Sequence, residues 1–80
     1  MKAMKKSAII KLARKEAKAH GMNFVDKRFT INGRPVYELV CRETGDVKSG
    51  NLTLTRICTF IEGDRLSSAF ARMANSQQYS

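Results

Sequence analysis

The amino-acid sequence predicts a small α+β domain of order α-β-β-β-α-α, with a three-stranded antiparallel sheet packed against helices. Three observations carry this reading. Apolar residues follow a helical spacing between Ser7 and His20 and stop at Gly21, Asn32-Gly33 separates two segments of strand character, and beyond Gly50 the apolar period changes from two to three or four. The 80 residues, 42 % of them apolar, fit one domain spanning 1–80, near the lower size limit for a core without covalent staples. A chain this short buries only about 60 % of the surface it exposes when unfolded, so marginal stability or self-association as a homodimer is a fair expectation.

In the first helix Ile9, Leu12 and Ala13 share one arc at about 100° per residue. Lys11, Arg14, Lys15 and Lys18 share the opposite arc. Lys18 and His20 occupy the last turn, where the helix dipole favours cations, and Gly21 suits the left-handed position that follows. Residues 1–6 read as a flexible basic extension carrying Lys2, Lys5 and Lys6.

Met22 to Ile31 is rich in Phe, Val, Thr and Ile and leads into Asn32-Gly33, a strong signal for a two-residue hairpin. A regular hairpin about that turn sets Ile31 opposite Arg34, Phe29 opposite Val36, Arg28 opposite Tyr37 and Lys27 opposite Glu38. The second strand, Val36 to Arg42, then alternates Tyr37, Leu39 and Cys41 with Val36, Glu38 and Val40. Both faces carry apolar residues, so alternation leaves open which one meets the helices, and a bulge near Asp26 or Pro35 is one way to resolve the conflict. A turn at Glu43-Thr44-Gly45-Asp46 leads to a short strand around Val47 to Ser49.

Leu54, Ile57, Cys58 and Ile61 form the stripe of a second helix, with Thr53 as its N-cap and Gly63 as its end. Asp64 is positioned to cap a third helix, in which Leu66, Phe70 and Met73 repeat the spacing before a polar tail, residues 75–80.

The run Tyr37-Glu38-Leu39-Val40, Thr44-Gly45-Asp46-Val47, Gly50, Leu52-Thr53-Leu54, Ile57 and Phe60-Ile61 resembles a strand, turn, strand and helix pattern of short proteins encoded by bacteriophages and prophages. The resemblance implies a phage or prophage context and a small size, and carries over no functional residue. The element order also resembles double-stranded RNA-binding domains, whose last helix opens on a lysine-rich motif. Here that helix opens Thr53-Leu54-Thr55-Arg56-Ile57, with one basic residue. A sheet packed on a helix, from Phe29 to Ile61, is similar in topology to some integrase arm-binding domains.

Charge is the functional signal. Fifteen Lys and Arg against seven Asp and Glu give a net charge of +8, and the first twenty residues hold seven cations and one acid, Glu16, for 7 − 1 = +6. Mixed-charge helices usually alternate signs to make a solvated face. Here the acids are nearly missing, so the stripe of Lys11, Arg14, Lys15 and Lys18 points to a polyanion, DNA or RNA held through phosphates, with Arg28, Arg34, Arg42 and Lys48 adding from the sheet. The alternative is a module that docks on an acidic surface of a bacterial host protein. Phe24, Phe29 and Tyr37 are available for base stacking on an open sheet, although core use of such aromatics is commoner. A membrane surface ranks lowest because the apolar arc of the first helix relies on alanines.

Catalysis has no motif behind it, and the chain reads as a non-enzymatic binding protein without cofactor or metal. His20 is explained by a helix end, and Cys41, on a strand, and Cys58, on an apolar helical stripe, read as buried thiols. Gly45, Gly50 and Gly63 sit where turns or helix ends need them and form no phosphate-binding loop. Two cysteines without an apolar signal segment indicate a cytoplasmic location.

Overall fold

The computed structural model describes residues 5–75. Its elements are α1 (Lys6–Ala19), β1 (Met22–Ile31), β2 (Arg34–Cys41), β3 (Val47–Thr53), α2 (Leu54–Glu62) and α3 (Leu66–Asn75). The strands form one antiparallel sheet in the order β1-β2-β3, and this is the α+β architecture expected from the sequence.

α1 buries Ile9, Ala13 and Ala17 and packs against β1, with further contacts to α2 and α3. Ala13 and Ala17 are fully buried, so the helix backbone approaches its neighbours closely there. Leu12 lies beside this line and is only partly buried. Lys6 is the first residue of the helix and Lys5 its N-cap, so these two are not a flexible extension. The other proposed members of that extension, residues 1–4, lie outside the described residues. Gly21 takes the left-handed conformation at φ 74° and ends the helix as expected.

Asn32 and Gly33 are both left-handed, at φ 55° and 77°, as a two-residue hairpin turn requires. Ile31 pairs with Arg34 as expected and Thr30 with Pro35, but the pairing then changes. Asp26 pairs with Tyr37, Val25 with Glu38, Phe24 with Leu39 and Met22 with Cys41. The expected pairs Phe29 with Val36, Arg28 with Tyr37 and Lys27 with Glu38 are therefore not formed as strand partners. Instead Lys27, Arg28 and Phe29 bulge opposite Val36, with Arg28 left-handed at φ 62° and its N–H donating to Asp26 Oδ1 at 2.8 Å. The cause lies in the core. An unbroken ladder would set Asp26 opposite the fully buried Leu39, whereas the bulge sets Phe24 there and draws Met22 into the core. Only the Lys27–Glu38 charge pair survives the change, at 3.3 Å between Nζ and Oε2.

The packing of the helices settles the ambiguous alternation of β2. Tyr37, Leu39 and Cys41 lie on the face that carries Met22, Phe24 and Leu52, and the helices cover it with Ile57, Leu66 and Phe70. Val36, Glu38 and Val40 lie on the opposite face with Val25, Ile31, Thr53 and Val47. No helix of the described residues packs on that face; Val36 is buried there, at 1 % exposure, while Val25, Phe29, Ile31 and Val47 are exposed.

β3 is longer than the expected Val47–Ser49, because it continues through two register shifts to Thr53. The connection before it closes with Cys41 N–H donating to Asp46 O at 2.8 Å and Gly45 N–H to Cys41 O at 2.9 Å. Thr53 caps α2, its Oγ1 accepting from Arg56 N–H at 3.2 Å. Gly63 ends α2, as expected, but with φ −84°, and the left-handed residue is Asp64 at φ 56°. Asp64 therefore belongs to the stop of α2 and is not the N-cap of α3. Its N–H donates to Ile61 O at 3.0 Å and that of Arg65 to Phe60 O at 2.7 Å, which satisfies two terminal carbonyls of α2. α3 runs through Asn75, one residue into the expected polar tail, and the rest of that tail, residues 76–80, lies outside the described residues.

Candidate nucleic-acid interface

The spacing that makes α1 amphipathic also sorts its charges. With Ile9, Ala13 and Ala17 turned to the core, Lys11, Arg14, Lys15 and Lys18 fall on the outer side, and all four are exposed. From Lys11 to Lys18 the strip spans seven residue steps, about 10 Å along the helix axis. None of the four is in an ion pair among the described residues. Glu16, the one acid of α1, instead faces His20 across one turn, at 3.6 Å between Oε1 and Nε2. Ser67 Oγ lies 3.5 Å from the same ring nitrogen, so His20 helps tie the end of α1 to α3. A shallow depression bounded by Ser7, Ala8, Ile10, Lys11 and Arg14 borders the strip.

Arg28 and Arg34 are exposed but do not join this strip. Arg28 sits in the bulge of the edge strand β1, and Arg34 borders the open sheet face with Ile31, Asn32 and Val36, on the far side of the sheet from α1. The structure thus brings the four residues of the helix strip together and leaves Arg28 and Arg34 on the hairpin.

The aromatic residues divide as well. Phe24 and Tyr37 stack on each other, with ring centroids 4.8 Å apart and planes 16° from parallel, and Tyr37 is 3 % exposed. Burial, and then the Asp26 carboxylate, push the Tyr37 hydroxyl above its usual range. These two rings serve the core and are closed to bases. Phe29 differs, being 48 % exposed on the uncovered side of the hairpin, with Lys27 Nζ 6.0 Å from its ring centroid. Among the described residues a guanidinium lies over the Phe60 ring, with Arg56 at 5.8 Å.

Cys41 corrects another expectation. Its thiol is half-buried rather than buried, and hydrogen bonds from the Thr44 side chain, then from the backbone at Thr44 and Glu43, together with the Lys48 charge, lower its pKa. The donors are supplied by the turn that follows β2. Cys58 is partly buried against the core. Among the described residues no group of three His, Cys, Asp or Glu side chains converges on a point, and no helix is long and apolar enough to cross a membrane.

Sequence spacing missed a second basic region. Lys48 on β3, Arg56 on α2 and Arg72 on α3 line a groove of about 510 Å³ with Phe60 and Met73. These residues are far apart in the chain and meet only because the three elements pack together. The one local trace is the four-residue spacing of Arg56 and Phe60 on α2.

No protein-family model matches the chain, and no curated protein or solved structure matches it.

Proposed function

We propose that this chain is a small basic, non-enzymatic nucleic-acid-binding protein of phage or prophage type that grips phosphates through α1. One observation carries the reading: Lys11, Arg14, Lys15 and Lys18 share the exposed arc of a helix whose other side is anchored in the core, and none of them is in an ion pair with a carboxylate among the described residues. A phosphate backbone needs several cations at short, regular intervals on a rigid support, and a helix supplies them about a turn apart. Four phosphate contacts give a log–log slope of binding against salt of roughly −3 to −4. Fluorescence polarisation with generic DNA and RNA at several salt concentrations measures it. Binding that is absent at low salt, or that is present with no salt dependence, would remove this reading.

A second reading is favoured by the sheet. Val25, Phe29, Ile31 and Val47 expose apolar surface on the uncovered face, which suits a protein surface better than a phosphate backbone. In this reading the chain docks on an acidic host protein, with the same cationic strip providing charge complementarity. Pull-down from nuclease-treated bacterial lysate separates the two, because loss of every co-purifying protein after nuclease would count against a protein partner.

A further inference from the structure

We infer that the groove between β3, α2 and α3 is an anion site of its own, built to take the phosphate of a nucleotide. It lies apart from α1 and does not depend on the function proposed for that helix. Its cations come one from each wall: Lys48 from β3, Arg56 from α2 and Arg72 from α3. No Asp or Glu lines it, and neither Arg56 nor Arg72 is in an ion pair among the described residues. Arginine presents a planar fork that fits phosphate oxygens in pairs, and Arg56 is held over the Phe60 ring at 5.8 Å, which limits the orientations it must give up on binding.

The rest of the lining defines the other half of the ligand. Leu52, Phe60, Ala69 and Met73 form an apolar floor beside the cations, while Ser49 and Asn51 add a hydroxyl and an amide. β3 is an edge strand, so one side of its backbone is not used by the sheet. An inorganic anion would leave the apolar floor unused. A nucleoside phosphate places its charge on the arginines and its ring on the floor, and a volume of about 510 Å³ lies within the usual range for small-ligand sites.

The test is amide and arginine side-chain NMR on the full chain, titrated with adenosine monophosphate, adenosine, inorganic phosphate and a short oligothymidylate. Adenosine monophosphate is expected to give saturable shifts at Ser49 to Leu52 and at the side chains of Arg56 and Arg72, with adenosine and phosphate each binding more weakly. Arg56→Gln and Arg72→Gln should each weaken binding about ten-fold or more, and Arg56→Lys should restore part of the loss. Both arginines are exposed, so the variants keep the fold. Replacing Lys11, Arg14, Lys15 and Lys18 with Gln should leave these shifts unchanged, which separates the groove from the strip on α1. Tighter binding of the oligonucleotide at the same residues would identify a strand as the source of the phosphate, and tighter binding of the mononucleotide would identify a free nucleotide. The inference is overturned by the absence of saturable shifts in the groove at roughly 20 mM nucleotide. It is equally overturned if adenosine or phosphate alone binds as tightly, or if the shifts survive both arginine substitutions.

Discussion

Among the described residues, four other than glycine hold a left-handed backbone: Arg28, Asn32, Asn51 and Asp64. Asn and Asp tolerate that region because a short polar side chain can bond locally, whereas Arg28 has no such compensation on its own side chain. Its conformation is held from outside, through the Asp26 carboxylate that accepts its N–H. Arg28→Gly should therefore raise stability by about 1 kcal/mol, read as an increased melting temperature, and Asp64→Gly by a smaller amount. An unchanged or lower melting temperature for Arg28→Gly would show that the guanidinium makes a contact that outweighs the strain. At Cys41 the prediction concerns pH. Donors that stabilise a thiolate lower the pKa, so alkylation of Cys41 should rise at lower pH than for an ordinary thiol. Thr44→Ala removes the largest contribution and should move that rise upward, measured as alkylation rate against pH in a Cys58→Ser background. Neither residue's behaviour was visible in spacing alone. The left-handed Arg28 answers a core demand made by Leu39, and the Cys41 donors arise from turn geometry.

The elements were legible wherever a local requirement decided them. Gly21 and Asn32-Gly33 mark a backbone geometry that few other residues satisfy, Thr53 supplies a capping hydroxyl, and each does the expected work. The β1–β2 pairing was not legible, because a regular hairpin is the local optimum and the competing term, Phe24 rather than Asp26 opposite Leu39, acts across the sheet. Gly63-Asp64 failed for a narrower reason: either residue can serve a helix end, and the left-handed position fell one residue later than glycine preference suggests. α1 shows what its charges cost. Its first turn contains no acid, its N-cap Lys5 makes no side-chain bond, and Lys5 and Lys6 stand at the positive end of the dipole. A helix selected for stability alone would begin with the opposite charge. Lys6→Glu should stabilise the fold by about 0.3–1 kcal/mol at low ionic strength. Nucleic-acid affinity should fall in the same variant, and a gain in both would contradict the proposed role of this helix end.

At the scale of the molecule, all three helices share one face of the sheet, so the core is single and the opposite face, apart from the buried Val36, remains open. The cationic strip was legible because it lies on one helix, whereas the groove of Lys48, Arg56 and Arg72 was not, since three separate elements build it. With a net charge of +8 the folded chain repels itself, and α1 concentrates that repulsion. Lys11 neighbours Arg14 and Lys15 on the helix surface, and Lys18 neighbours the same two, which makes four like-charge pairs at three- or four-residue spacing. At about 0.2–0.5 kcal/mol each, they cost roughly 1–2 kcal/mol at low salt. Gln has nearly the helix propensity of Lys and Arg, so replacing all four by Gln should recover most of this amount, about 4–8 °C in melting temperature per kcal/mol for a domain of this size. The gain should shrink as salt rises, because screening already weakens the repulsion when the Debye length drops to about 10 Å at 0.1 M and about 3 Å at 1 M. Affinity for DNA or RNA should collapse in the same variant. Melting curves of both proteins across that salt range are the measurement. A variant less stable than the parent, or a difference indifferent to salt, would mean that the four cations hold the fold together. A more stable variant that no longer binds would mean that the chain gives up stability to keep them.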